Sequence, residues 1–338
     1  MYLQFYGLER KPFEITPDPR FFYTSDQYKE AFATLLYGVK EKKGLMVLTG
    51  EVGTGKTLLI RSLLQVLDSD TKTAYVLNPR LDLPDFFGTV AQEFGLGGDL
   101  SSKGKFLGQL NAFLLDLARK KKRALLIVDE AQTLSLPILE ELRLLMNLET
   151  SQEKLLQVVL SGQPELHRII NFSCLRQFKQ RISLRCHLQP LSRKETAEYI
   201  AWRLKVAGYH GAPLFTLRSV GRIHKYSAGV PRLVNVLCDN ALLTGYALEK
   251  KQIDLPVVKE VILDMEGTRA IPKDKGAWPR DESDLAMEWT RPRKKKGSGT
   301  MWAIGGIVLL LLGLVWMFLS PQIHPDGFLR GLHGVWPK

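Results

Sequence analysis

Cysteine is scarce in this sequence, which has three among its 338 residues. Cys174, Cys186 and Cys238 are far apart and odd in number, so they form neither a disulfide framework nor a metal-binding pattern. They are typical of a protein in a reducing compartment, where we expect inert thiols. The start of the chain also lacks the charged and continuously apolar segments of a secretory signal, so we expect none there.

Acidic residues are fewer than basic ones, 35 against 47, which leaves a net charge of +12. Much of the excess comes from two runs, Arg119–Arg123 and the cluster from Arg291 to Lys296. Such charge indicates either nucleic acid or an anionic membrane as a partner. We interpret the first run as a solvated helix end, where cations face the negative pole of the helix, rather than as a DNA surface.

One glycine-containing segment, Gly50–Thr57, matches the phosphate-loop pattern G-x-x-x-x-G-K-[ST]. An apolar run of strand length, 45–49, precedes it, and apolar residues at helical spacing follow it over 58–64. Glycines let backbone N–H groups surround a polyphosphate at a helix N-terminus. In this pattern Lys56 reaches the β and γ phosphates, and the Thr57 hydroxyl is a ligand for Mg²⁺. The predicted nucleotide-binding residues of this segment are Gly50, Glu51, Val52, Gly53, Thr54, Gly55, Lys56, Thr57 and Leu58.

A second apolar run, 125–128, ends in Asp129 and Glu130. The carboxyl ends of buried parallel strands are where open α/β sheets bind their ligands. Asp129 is suited to the Mg²⁺ shell, directly or through water, and Glu130 to orienting an attacking water. Because a phosphate loop precedes them, these acids predict the second half of an ATP–Mg²⁺ site.

Residues 155–160 read as another strand that ends in Ser161-Gly162-Gln163. Ser161 and Gln163 are both candidates for contact with the γ-phosphate, although a plain turn is the alternative. Further on, Arg176 and Arg181 are five residues apart, so one helix would not place them on the same face. One of them could reach the nucleotide of a neighbouring subunit, and a solvated basic helix is the alternative.

The region after Pro190 is helical in pattern. Ser192 to Glu195 form a capping box before one helix, a second helix is predicted after Thr216, and Pro231 opens a third. Arg232 would then lie near a helix N-terminus, where the dipole does not favour a cation. Its position indicates an anionic partner such as a phosphate, or else a salt bridge.

The C-terminal part predicts a membrane anchor. Residues 301–319 are uncharged and almost wholly apolar, and at about 1.5 Å per residue they span a hydrocarbon core of roughly 30 Å. Trp302 and Trp316 lie near the two ends, as interfacial aromatics do. By the positive-inside rule, the basic cluster before this segment predicts that the N-terminal body lies in the cytoplasm. The same cluster is expected to bind anionic lipid headgroups.

Taken together, these motifs resemble an AAA+ ATPase with a helical lid. The N-terminal segments 5–8, 12–13, 17–23 and 36–38 narrow the resemblance to the ATPases of the general secretion pathway protein A (ExeA-like) family, over roughly residues 1–265. The resemblance implies a Walker A motif at Lys56 and Thr57, and a Walker B motif at Asp129 and Glu130. It further implies sensor 1 at Ser161 or Gln163 (the usual Asn is absent), an arginine finger at Arg181 or less favourably Arg176, and sensor 2 at Arg232.

The family assists assembly of type II secretion machinery at the inner membrane, with relatives in pilus and polysaccharide-export systems. The resemblance therefore implies a homo-oligomeric, single-pass inner-membrane ATPase with Mg-ATP as substrate and assembly proteins as partners. The longest members carry a periplasmic peptidoglycan-binding domain, whereas about twenty residues follow the predicted membrane segment here, too few for a folded domain. Two other functions remain open: a DNA-associated ATPase of the transposition or loading type, disfavoured by the predicted anchor, and a non-catalytic, ATP-gated membrane scaffold.

The expected fold is α/β: a parallel P-loop NTPase sheet with helices on both faces, followed by a small α-helical lid and one transmembrane helix. The expected domains are an α/β domain with an extended N-terminal arm (1–189), the lid (190–267), a charged linker (268–300), the membrane helix (301–319) and an extracytoplasmic tail (320–338). The linker is predicted from its prolines, glycines and mixed charges, which cannot bury enough apolar surface to fold.

Overall fold

A computed structural model describes residues 2–16, 18–77, 81–97, 102–150 and 153–267. All of them fall within one compact unit, Met1–Ala270. The predicted linker, membrane helix and tail (268–300, 301–319 and 320–338) lie outside the described residues. Among the described helices, none combines the length and the apolar character needed to cross a bilayer.

The apolar runs of the sequence form a five-stranded sheet whose neighbouring strands are all parallel, in the order β2-β3-β4-β1-β5. The predicted strands at 45–49, 125–128 and 155–160 are present, each within two residues of its expected start. The strands are β1 (Leu45–Gly50), β2 (Thr71–Val76), β3 (Arg123–Val128), β4 (Leu156–Gly162) and β5 (Ile182–Leu188).

Helices cover both faces of this sheet, as predicted. Alternate side chains of a strand point to opposite faces, so Leu125 and Ile127 of β3 join one buried cluster while Leu126 and Val128 join the other. The first cluster includes residues of α2 (Asp26–Lys40) and α3 (Lys56–Val66). The second cluster is built with α4 (Leu83–Phe94), α5 (Lys103–Arg119), α6 (Leu136–Leu145), α7 (Pro164–Ile170) and α8 (Arg176–Lys179).

The helical lid follows β5 and begins as the sequence predicts. Ser192 and Glu195 form the expected capping box at the start of the first lid helix, Thr216 caps the second, and Pro231 opens the third. A fourth lid helix was not predicted. The lid helices are α9 (Arg193–Val206), α10 (Leu217–Ser227), α11 (Pro231–Ala247) and α12 (Leu255–Met265). The predicted domain boundary at 189–190 falls between β5 and α9.

The N-terminal segment packs against the lid. It starts with a short helix, α1 (Tyr2–Tyr6), and contains a 3-10 turn at Pro19–Phe21, with no helix or strand in the described residues between them. Tyr2 donates a hydrogen bond to Asp239 of α11 at 2.6 Å. The predicted extended arm is therefore bounded by two helical turns, and tertiary contacts attach it to the lid.

Candidate active site

The phosphate loop connects β1 to α3, which begins at Lys56. Gly53 and Gly55 have φ angles of +81° and +96°, a region that L side chains rarely adopt. A Cβ added at Gly53 would also lie 2.7 Å from the Cβ of Arg232. Both the backbone conformation and the closeness of the lid therefore require glycine in this loop.

Lys56 lies folded over the loop. Its side chain is buried, and Nζ donates hydrogen bonds to the carbonyl oxygens of Gly50 at 2.8 Å and Glu51 at 3.0 Å. Burial lowers the pKa of Lys56, while the nearby charges of Glu130 and Asp129 oppose that shift. A buried ammonium with two carbonyl partners retains a third donor, and an anionic oxygen is the acceptor that suits it best.

Thr54 stabilises the loop from within. Its side chain is fully buried, and its hydroxyl donates to the Glu51 carbonyl at 2.8 Å. The loop carbonyls of Gly50 and Glu51 are thus occupied by side chains of the same loop. This internal bonding holds the loop in one shape before a ligand arrives.

Asp129 follows β3 directly and is 2% exposed. One carboxylate oxygen, Oδ2, accepts hydrogen bonds from the Thr57 hydroxyl at 2.8 Å and the Tyr75 hydroxyl at 3.1 Å. The other, Oδ1, accepts from the Ser161 hydroxyl at 2.7 Å and the Glu130 backbone N–H at 3.0 Å. Four donors compensate for the loss of water around this buried carboxylate and fix its orientation.

Tyr75 lies on β2 and was not predicted from the sequence. Burial first, and the Asp129 carboxylate second, raise the pKa of its hydroxyl above the usual value for tyrosine, which already keeps the group protonated at neutral pH. Its contact depends on the pairing of β2 with β3, which places Val76 beside Val128. Strand order is a long-range property, so the local sequence carried no signal for this residue.

Glu130 has a left-handed backbone conformation, with φ of 53° and ψ of 36°. Its Oε2 atom accepts hydrogen bonds from the amide groups of Gln132 at 2.6 Å and Gln163 at 3.2 Å. Gln132 Oε1 in turn accepts from the backbone N–H of Gln163 at 3.0 Å. The two predicted sensor candidates thus have different partners, since Ser161 contacts Asp129 and Gln163 contacts Glu130.

A cavity of about 440 Å³ opens above the phosphate loop. Glu130 and the lid residue Arg232 face it from other elements. Its loop side is lined by Val52, Gly53, Gly55, Lys56, Thr57 and Leu58. The predicted residues thus converge on one cavity, and Gly50, Glu51, Thr54, Asp129 and the sensor candidates support it through the contacts above.

Arg232 is the second residue of α11, and its backbone N–H donates to the Gly53 carbonyl at 3.2 Å. Its side chain is exposed, and among the described residues it has no hydrogen-bond or ion-pair partner. The alternative explanation, a salt bridge, is therefore not seen there. The guanidinium faces the cavity at the helix N-terminus, as the prediction of an anionic ligand requires.

The far end of the cavity is formed by the N-terminal arm and the lid, which sequence reasoning missed. The buried Arg203 of α9 donates to the Tyr199 hydroxyl at 2.9 Å and to the backbone carbonyls of Pro12 and Glu14. Tyr199 in turn donates to Asn235 Oδ1 at 2.8 Å. Arg203, Tyr199 and Asn235 all line the cavity, so this network joins the arm and two lid helices around it.

Arg176 and Arg181 do not line the cavity. Arg176 is exposed at the start of α8, and Arg181 is half-buried just before β5. Lys154 chiefly, and Arg181 more weakly, lowers the pKa of the Glu149 carboxyl. Within one chain, neither arginine therefore belongs to the site.

The residues at the cavity fit a magnesium ion bound together with a nucleotide. Mg²⁺ is usually held by one or two carboxylates plus substrate phosphates, rather than by a cage of protein ligands. Thr57 and Asp129 lie within hydrogen-bond distance of each other beside the loop. Within the described ranges no group of three or more His, Cys, Asp or Glu residues forms a self-sufficient metal site.

Comparison with known proteins agrees with this geometry. Residues 39–170 match the AAA domain family. The chain contains an AAA domain. It is also 41% identical over 315 residues to general secretion pathway protein A of Aeromonas hydrophila, an alignment that covers 93% of this chain. The resemblance predicted from the motifs is confirmed, although the chain spans 53% of the length of that relative.

Solved structures support the same fold. The chain resembles the Aeropyrum pernix ORC2 protein, with a TM-score of 0.57 and 17% identity over 75% of this chain and 71% of that one. It also resembles Drosophila ORC bound to DNA, with a TM-score of 0.60 and 19% identity over 97% of this chain and 81% of that one. At such identities the likeness establishes the fold alone: an AAA+ P-loop α/β fold with a parallel sheet.

Proposed function

We propose that this chain is a membrane-anchored ATPase that hydrolyses Mg-ATP and uses the energy to assist assembly of a secretion-type machine in the cell envelope. The observation that carries the proposal is that Lys56, Thr57 and Glu130 line one cavity, while the Asp129 carboxylate lies behind it and accepts a hydrogen bond from Thr57. The likeness to general secretion pathway protein A supports the envelope role.

Each side chain has a part in the reaction. Lys56 and the loop N–H groups bind the β and γ phosphates, while Arg232 offers a second cation from the lid. Mg²⁺, held through Thr57 and Asp129, would neutralise charge on the phosphates. Glu130 orients a water for in-line attack on the γ-phosphorus, with Gln132 and Gln163 positioning the Glu130 carboxylate.

Membrane attachment is part of the proposal and depends on the sequence of residues 301–319. The body would then lie on the cytoplasmic side of the inner membrane, close to assembly proteins of a secretion, pilus or polysaccharide-export system. The likeness to general secretion pathway protein A supports secretion among these three.

We also propose that the active form is a homo-oligomer in which Arg181, or alternatively Arg176, completes the site of a neighbouring subunit. Both arginines lie away from the cavity of their own chain, and a phosphoryl-transfer site gains from an additional cation. Mixing inactive Arg181→Ala chains with inactive Lys56→Ala chains should restore part of the activity, because a mixed pair contains one intact site. Two Lys56→Ala preparations mixed together are the control, and no recovery in any mixture would contradict the trans arrangement.

The central test is ATP turnover by the full chain in lipid nanodiscs, measured as phosphate release over a range of protein concentrations. We expect Mg²⁺-dependent release that rises per chain as the protein assembles. A chain that binds a fluorescent ATP analogue but releases no phosphate above the Lys56→Ala background would instead be an ATP-gated scaffold.

A further inference from the structure

The edge of the sheet opposite the nucleotide cavity collects the starts of all five strands. Because the strands are parallel and nearly in register, Leu45 of β1 pairs with both Val158 of β4 and Ile182 of β5. Likewise Thr71 of β2 pairs with Arg123 of β3. The segments that lead into the strands therefore lie side by side, although they are distant in sequence. We call them the basal edge: 40–44, 68–72, 119–123, 153–154 and 179–181.

The basal edge is strongly basic. These five segments contain twelve lysine and arginine residues and four acidic residues. The run 119–123 alone contributes five cations. The helix dipole favours cations only within the last turn of a helix. The end of α5 at Arg119 therefore explains part of the run, but not the cations that the other strands bring to the same edge.

Ion pairs neutralise only a minority of these cations. Lys42 pairs with Glu153 and Lys154 with Glu149, while Lys120 pairs with Asp116 at 2.6 Å and Arg123 with Asp68 at 3.6 Å. The remaining cations have no ion pair within the described part of the chain: Lys40, Lys43, Lys72, Arg119, Lys121, Lys122, Lys179 and Arg181. The edge therefore keeps a surplus of solvent-accessible positive charge.

We propose that the basal edge binds the surface of an anionic lipid bilayer. Each lysine or arginine near such a surface adds to the attraction. The five strand ends extend over about 19 Å, the width of four strand spacings. Several cations can therefore approach the same membrane patch together. Arg181 is left out of this contact, because it is assigned above to the site of a neighbouring subunit. Six of the other seven unpaired cations are lysines, whose flexible point charges suit diffuse attraction to headgroups rather than a fixed bidentate contact.

The proposal rests on the membrane attachment proposed above. Attachment through the predicted membrane segment would keep the basal edge at high effective concentration beside the bilayer, so a weak individual attraction suffices. The nucleotide cavity lies at the other end of strands that are about 20 Å long, so it would stay open to the cytoplasm while the basal edge contacts lipid.

Lysine labelling of the full chain tests this contact. The chain is reconstituted in vesicles of phosphatidylcholine alone or of phosphatidylcholine with phosphatidylglycerol, and lysine acetylation rates are measured by mass spectrometry. Acetylation of Lys43, Lys121 and Lys122 should slow by roughly threefold or more in the anionic vesicles, because the lysines contact headgroups. The protection should disappear at about 1 M salt, where the Debye length is about 3 Å. The exposed lid lysines Lys205, Lys225 and Lys259 are the matched controls and should react equally in both vesicles.

Charge reversal of the basal edge separates this contact from the ATPase proposal. The triple variant K43E/K121E/K122E should lose the protection of Lys40 and Lys72 in anionic vesicles, with ATP turnover unchanged in neutral ones. The corresponding lid variant, K205E/K225E/K259E, should keep the protection of Lys40 and Lys72. Equal acetylation rates in neutral and anionic vesicles would overturn the proposal. Protection by duplex DNA, without protection by anionic vesicles, would also overturn it and identify the edge as a nucleic-acid surface.

Discussion

The sheet side and the lid side of the nucleotide cavity differ in how their charged side chains are held. On the sheet side, Lys56, Asp129 and Glu130 each have at least two hydrogen-bond partners. On the lid side, Arg232 is attached through its backbone to Gly53, while its guanidinium has no partner among the described residues.

This difference suggests separate tasks for the two sides. A preorganised network needs no reorganisation when the reaction charge develops, which favours catalysis. An unpaired arginine that faces a cavity gains its partner when an anion binds, which favours lid closure on the nucleotide. We therefore expect substitutions on the sheet side to affect turnover most, and substitutions on the lid side to affect binding.

The largest expected effect is that of Lys56→Ala. It removes the buried cation from the phosphate loop, so phosphate release should fall to the background of buffer, and ATP-analogue binding should be lost as well. Lys205→Ala, an exposed lid position, is the control and should leave both unchanged. Full binding by Lys56→Ala chains would show that the sheet side does not hold the phosphates.

Glu130→Gln should separate binding from chemistry. The variant keeps the shape of the side chain and an acceptor oxygen for Gln132 and Gln163, but it has a weaker base. Turnover should fall on the order of 10²- to 10⁴-fold with binding nearly unchanged. Glu30→Gln is the control, because Glu30 is an exposed acid of α2 outside the cavity lining. Equal turnover in wild type and Glu130→Gln would remove Glu130 from the mechanism.

Arg232→Ala tests the lid side directly. Loss of one charged contact to phosphate should raise KM roughly tenfold to a hundredfold, with a smaller change in kcat. Arg218→Ala removes an exposed arginine from another lid helix and serves as the control. A fall in kcat with KM unchanged would mean that Arg232 acts in the reaction, and the proposed division between the two sides would be wrong.

The smallest expected effect is that of Tyr75→Phe. It removes one of four donors to Asp129, so turnover at limiting Mg²⁺ should fall roughly threefold to tenfold, and excess Mg²⁺ should restore it. Tyr37→Phe, at an exposed tyrosine outside the cavity lining, is the control. A loss that excess Mg²⁺ does not restore would indicate a role for Tyr75 other than positioning Asp129.

The elements that the sequence predicted correctly are those with a local cause. The phosphate loop needs glycines at left-handed positions, the capping box of α9 depends on residues three apart, and the buried strands read as apolar runs. Helix α12 was missed, although Asp254 caps it and a proline lies in its first turn. Those two residues were the signal that could have revealed it.

The amino-acid sequence by itself determined the chemistry of this protein: a loop for phosphate, two acids at the end of a strand, and a lid arginine at a helix N-terminus, where the helix dipole does not favour a cation. Tertiary structure alone decided which side chains surround those groups, because Tyr75, Ser161 and Gln163 reach the acids only through the order of neighbouring strands. The same parallel order collects five separate basic segments at the opposite edge. Contacts of this kind depend on strand pairing over long sequence separations, which no local pattern of residues encodes.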